Sequence, residues 1–342
     1  MTSVSRIYER STTPRSADLD LLSDNMTTDT FSEIDAEQIA ADLHSILDMV
    51  RWSVSCFNQA ELFYGHGTDN PWDEAVSLVL QLLHLHQDLT LQTGDQLFHS
   101  RLTKAEKLKI IAIVKRRADE RIPVPYLTNQ AWFCDLPFFV DERVLIPRSP
   151  IAELIQNHFE EWIGENEPQH ILDLCTGGGC IAIALAYAFE EAQVDAVDIS
   201  QDALDVAELN ITEHELSHRV YPINSDLMEA LQGQQYDLIV SNPPYVDAED
   251  MDDLPEEFHH EPELALAAGT DGLDLVDNIL RQAPIHLTDN GWLFVEVGNS
   301  EVHMYSRYPE LPIQWVEFEN GGHGVFAISK NDLVEYWRSV DH

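Results

Sequence analysis

Four consecutive residues, Asn242-Pro243-Pro244-Tyr245, end the apolar run that starts at Tyr236 and open an acidic stretch. Prolines hold φ near one value and offer no backbone N–H, so the bend is stiff and free of competing donors. Such a corner suits one chemical problem. An amide or aromatic amine nitrogen is a poor nucleophile because its lone pair is delocalised. If the Asn242 side-chain oxygen and the Pro243 carbonyl accept its two hydrogens, the lone pair can be aimed at an electrophilic carbon. Tyr245 can stack on the flat group and shed water. Read alone, the same four residues also describe a proline-rich strand-to-loop turn with no chemistry in it.

The electrophile needs a holder, and three acids are spaced to supply one. "ILDLCTGGGCIAIALA" carries a strand into a helix through the turn Cys175-Thr176-Gly177-Gly178-Gly179, with Asp173 at the strand end. Glycines there admit φ > 0 and let a ligand approach the backbone. The turn is not the G-x-G-x-x-G phosphate cradle. A carboxylate at Asp173 instead suits an ammonium group. Asp198 ends the next strand-like run, 25 residues on, where it can accept both hydroxyls of a ribose. Asp226, in "NSDLM", follows the third run. Ammonium, ribose and adenine in that order describe S-adenosylmethionine; a dinucleotide-binding fold and plain helix caps are the competing readings.

The elements that must position these groups are legible as alternation. The runs "HILDLC", "AQVDAVD", "RVYPIN", "YDLIVSN" and "GWLFVEV" read as strands, most of them separated by helical stretches. That order predicts a doubly wound parallel α/β sheet; taken with the methyl-donor reading of the glycine turn and the three acids, it becomes a seven-stranded Rossmann-like sheet of the class I methyltransferase kind, with the last strand antiparallel. The antiparallel end is expected from "IQWVEFE" and "GVFAISK", joined through Asn320-Gly321-Gly322-His323. Ahead of it, apolar residues at three- and four-residue spacing predict a small helical bundle over residues 31–119. A Pro- and aromatic-rich stretch over 120–148 predicts a short hairpin and linker, 149–342 the sheet domain, and 1–30 a mobile tail.

Composition narrows the class. With 61 acidic and 19 basic residues the formal net charge is −42. Such a surface repels phosphates and lacks the footprint that nucleic acid requires; attraction of a basic protein and a general solubility or salt-adaptation feature are equally good readings of it. Cys56, Cys134, Cys175 and Cys180 form no CxxC pair and read as reduced thiols. No run is long and apolar enough to span a membrane, and no signal-peptide pattern opens the chain, so a cytoplasmic location is expected. No metal site is expected either, because His84 and His86 stand two apart and would point to different faces of a helix.

"LIPRSPIAELI", "ILDLCTGGGCIAIALA", "VDAVDIS", "DLIVSNPPYVDAEDMDDLPEEFHHEPELALAAGTDGLDL" and "FVEVGNS" together resemble the bacterial protein-glutamine N5-methyltransferases. The resemblance runs from about Phe31 to Lys330. Within that family it is closest to the branch acting on the third protein of the large ribosomal subunit. Cys175 and Ser149 favour that branch over the one acting on release factors. The resemblance implies S-adenosylmethionine as cofactor, held by Asp173, Cys175, Thr176, Gly177, Gly179, Asp198, Asp226 and Asn242. It implies that Asn242, Pro243, Pro244 and Tyr245 grip a glutamine amide, and that the helical part helps recognise a basic ribosomal protein. Gly178 stands where the branch commonly has serine, and His323 where it commonly has an acid. A DNA adenine methyltransferase shares the corner but should carry a basic cleft. A non-catalytic assembly factor would need the corner to be idle.

Overall fold

The computed structural model describes residues 36–85, 94–164 and 166–340. The expected tail, and His86, lie outside the described residues.

Helices Ala36–Asp42, Ile46–Gln59, Pro71–Leu82 and Lys104–Glu120 pack around Met49, Phe57, Leu78, Ile110 and Val114, all fully buried. The apolar repeat by itself would run through from Ala36 into the second helix. Ser45 breaks it: its side chain accepts from Asp48 N while Asp48 accepts from Ser45 N at 2.9 Å, a reciprocal cap that starts a new helix. The third helix begins where its residues dictate, with Asn70 as cap and Pro71 in the first turn. His84 has already left that helix, with φ at 56°.

The expected hairpin is present as β1 (Ala131–Phe133) and β2 (Leu136–Phe138), paired antiparallel. Cys134 and Asp135 turn it with φ of 49° and 62°, the left-handed pair that a two-residue hairpin favours.

The remaining strands are β3 (His170–Leu174), β4 (Gln193–Asp198), β5 (Val220–Asn224), β6 (Tyr236–Ser241), β7 (Leu287–Glu296), β8 (Gln314–Trp315) and β9 (Val325–Ser329). They form one seven-stranded sheet in the order β5-β4-β3-β6-β7-β9-β8. β3 to β7 run parallel, and β9 is antiparallel to both β7 and β8. The fold class read from the sequence is therefore the one observed, although β8 is only two residues long.

Successive residues feed opposite cores. Ile171, Val194, Ala196, Leu238, Val240 and Phe294 pack on one face; Leu172, Leu174, Val197, Ile239, Leu293 and Val295 pack on the other. The strand order reverses between β3 and β6. In such sheets the crevice at the carboxyl ends of the two reversing strands is where ligands bind. The glycine turn leaves β3 there, and the Asn242 corner leaves β6 beside it.

Candidate active site

Cys175, Gly177, Asp198, Ser225, Asp226, Asn242 and Pro244 line one cavity at this crevice. Four segments thus converge: the turns after β3, β4 and β5, and the corner after β6. Arg143, Val144 and Leu145 wall it on the linker side, and Pro262, Leu264 and Ala265 from the loop beyond the corner.

The glycine turn is held open to the cavity. Thr176 N donates to Val197 O at 2.9 Å, which ties the turn to β4. Cys175 and Gly177 take φ of 60° and 54°. A Cβ on Gly177 would meet nothing within 4 Å, so the backbone there faces open space. Gly179 is different: its φ is 81° and a Cβ would come within 3.2 Å of Ala207 Cβ, so it serves the packing of the following helix. Gly178 donates no such constraint. Its Cβ would sit 3.6 Å from Val144 and Val206, ordinary contact, at a φ any residue adopts.

Asp198 is the last residue of β4, and backbone amides aim its carboxylate. Gly177 N donates to Oδ2 and Ser200 N to Oδ1, each at 2.9 Å. Burial raises its pKa, and the three backbone amides of Ser200, Gly177 and Ile199 act against that. An oriented carboxylate at the strand tip can receive a pair of hydroxyls. Asp226 is exposed and lies two residues beyond β5 rather than at its end.

Asp173 stands behind the cavity and not on its wall. It is fully buried, with Oδ2 accepting from Thr176 Oγ1 at 2.6 Å and Ala182 N at 3.0 Å. Oδ1 is buried with no hydrogen-bond partner. Burial, the largest influence, pushes the carboxyl up to about 7 despite those two donors. An acid left with one bare oxygen asks for a proton or for a cationic donor.

The corner is braced on every side. Ser241 Oγ donates to Leu174 O at 3.0 Å, joining the ends of β6 and β3. Pro243 is buried, while Asn242, Pro244 and Tyr245 are half-buried. The Tyr245 carbonyl accepts from Ser300 Oγ at 3.0 Å, and its hydroxyl donates to Glu296 Oε1 at 2.9 Å. A Cβ on Gly298 would fall 2.5 Å from the Tyr245 ring, so that glycine gives the ring its seat. Val246 is then pinned by Leu266 O and Ala268 N, each at 2.9 Å.

Glu296 was not anticipated. It ends β7, is almost completely buried, and also accepts from Ser149 Oγ at 2.5 Å. The signal was present in "FVEV": a carboxylate inside an apolar strand must be paired or coordinated. Glu257 and Glu261, likewise buried, were also missed. No cluster suited to a metal occurs among the described residues.

The family model for the methyltransferase small domain matches residues 152–272. A ribosomal protein uL3 glutamine methyltransferase of Francisella tularensis is 48% identical over 307 residues, covering 90% of this chain and 96% of that protein. One of the same name from Xanthomonas campestris is 50% identical over 297 residues, covering 87% and 95%. At that identity and coverage, this chain belongs to the ribosomal protein uL3 glutamine methyltransferase family.

Proposed function

We propose that this protein methylates the side-chain amide nitrogen of a glutamine in the large-subunit ribosomal protein uL3. S-adenosylmethionine supplies an electrophilic methyl carbon on a sulfonium. The observation that carries the reading is one juxtaposition. The Asn242 corner and the aimed carboxylate of Asp198 line the same cavity, with the bare Asp173 oxygen buried behind it.

In this reading Asp173 Oδ1 receives the ammonium, Asp198 the ribose hydroxyls, and the open backbone at Gly177 the body of the donor. Cys175, Thr176 and Gly179 shape the turn, and Asp226 faces the adenine. The glutamine amide lies across the corner. Its two N–H hydrogens go to the Asn242 side-chain oxygen and the Pro243 carbonyl, while the Tyr245 ring covers its flat face. Held so, the nitrogen lone pair attacks the methyl carbon in line; the N–C bond forms as the S–C bond breaks, and the nitrogen then gives one proton to water. Positioning does most of the work, so no strong base is required.

Residues 31–119 are assigned to recognition of the protein substrate, 120–148 to a linker, and 149–342 to catalysis. The acidic surface favours a basic protein over a nucleic acid, and the substrate favours a cytoplasmic enzyme without metal. Among the described residues no helix is long and apolar enough to cross a membrane.

Mass spectrometry of ribosomal proteins from a strain lacking this gene tests the reading directly. The expected result is loss of a single methyl increment on one uL3 glutamine, restored by the wild-type chain and not by Asn242→Ala. An unchanged uL3, with the increment lost from a release factor instead, overturns it in favour of the sister activity.

A further inference from the structure

Glu261 has a fully buried side chain and four polar contacts, which come from two separated parts of the chain. Ile146 N donates to Oε1 at 3.0 Å. Arg148 makes a fork, Nη1 to Oε1 at 2.6 Å and Nη2 to Oε2 at 2.8 Å. His66 Nε2, from the helical part, lies 3.4 Å from Oε2. Phe258 packs beside them, its ring 4.5 Å from that of His66 and 5.3 Å from the Arg148 guanidinium.

These contacts sit at both walls of the donor cavity. Pro262, Leu264 and Ala265, which line one wall, follow Glu261 directly in sequence; Arg143, Val144 and Leu145, which line the other, directly precede Ile146. The far end of the first wall is stitched back to the corner through Val246. A single carboxylate therefore closes a ring that passes through the corner, one wall, the linker and the other wall. A buried ion pair is weak grounds for stability, because desolvation offsets the attraction; its better-attested use is to fix one geometry. Burial alone would lift the Glu261 carboxyl, yet His66 and Arg148 outweigh it and hold it down to about 2, so it stays charged.

We propose that Glu261 is a positioning residue that holds the two walls of the methyl-donor cavity at their binding separation. It touches neither donor nor glutamine, and it rests on the reading of this cavity as the donor site. Losing its charge leaves Arg148 without its partner and frees the Pro262–Ala265 wall. The consequence falls on donor affinity first and on the methyl step only through occupancy.

The test is calorimetric titration of S-adenosylhomocysteine into wild type, Glu261→Gln, Arg148→Ala and the double variant. In glutamine, the Nε2 hydrogens face the donors of Arg148 or His66, so the fork cannot be kept. Each single variant is expected to weaken binding about tenfold or more, and the double variant by little more than either, because both break one connection. Turnover at saturating donor is expected to stay within about threefold of wild type, since the methyl step itself is untouched. Equal affinity in folded variants, or a turnover loss at unchanged affinity, overturns the inference. Hydrogen exchange on the wild type answers even if the variants fail to fold. The Ile146 amide, bonded to Glu261, is expected to exchange more slowly when the product is bound, by reciprocal linkage; an unchanged rate overturns the proposal. If wild type itself binds no donor product, the cavity assignment beneath the proposal falls, a result distinct from equal binding by all four proteins.

Discussion

At the scale of single residues, the proposed roles divide the site into a donor half and an acceptor half that variants can separate. In the proposed reading, removing the Asn242 carbonyl takes away one of the two acceptors assigned to aiming the amide lone pair. Asn242→Ala is therefore expected to slow single-turnover methyl transfer about 10²-fold or more while donor affinity stays within a few fold. Asp198→Ala reverses the order: calorimetry should show weaker donor binding, with turnover recovering as donor is raised. Asp173 adds a proton to the ledger. Its carboxyl is raised to about 7 by burial, against 3.8 for the free group. The folded chain thus holds this proton more tightly than the unfolded chain, so the group's contribution to stability declines as pH rises from about 4 to 7 and is level above that. A donor ammonium beside Oδ1 favours the ionised form, so binding at about pH 6 should release close to one proton and tighten toward pH 7. Titrations in buffers of different ionisation enthalpy measure that proton directly. A binding enthalpy independent of buffer would mean that the ammonium lies elsewhere; Asp173→Asn should abolish the linkage.

At the scale of elements, two glycines make opposite demands. Gly298 carries a φ of 47° and seats the Tyr245 ring, which a Cβ would meet at 2.5 Å. Gly298→Ala should pay twice, in left-handed backbone strain of about 1–2 kcal/mol and in a displaced ring. A melting temperature lower by several degrees, slower transfer and unchanged donor affinity are the expected set. Gly178 has no positive φ and its Cβ would make only ordinary contacts, so Gly178→Ser should fold, bind and turn over as the wild type does; a lost cavity would contradict the geometry described. The strands themselves were legible because each is a short apolar run bounded by turn chemistry, and the crevice because acids and glycines mark the strand ends. What the sequence hid is equally physical. The break at Ser45 lies within an unbroken apolar repeat and is decided by a local cap. The bracing of Tyr245 joins Glu296, Gly298 and Ser300 across some fifty positions of chain, a distance that periodicity cannot span. Which way Asp173 faces could not be read from its place near a strand end: the pleat turns it beneath the helix Cys180–Ala188, where Ala182 N occupies Oδ2 and Oδ1 is left without a partner.

At the scale of the whole molecule, some charge is spent inside as ion pairs, and the remainder that faces solvent stays strongly acidic. Of 19 basic residues, Arg117 is fully buried against Glu74 and Glu257, and Arg121 and Arg148 are spent on Glu257 and Glu261. The pairs with Glu257 lash the helical part to the loop before the cavity wall, and Arg148–Glu261 ties the linker to that loop, so part of the small positive complement serves internal geometry. A basic ribosomal protein approaching that field is drawn in from beyond contact distance, and the attraction fades as salt shortens its range to about 8 Å at physiological strength. Between about 0.05 and 0.3 M salt, kcat/KM toward full-length uL3 should fall several-fold, almost wholly through the association rate. A short neutral peptide carrying the same glutamine feels little of the field and should show a nearly flat profile. Donor affinity, set inside the cavity, should also hardly move. Stopped-flow capture of uL3 across this range separates the two roles of the acidic surface: a steep dependence assigns it to recruitment, and a capture rate insensitive to salt leaves it only the task of keeping the chain soluble.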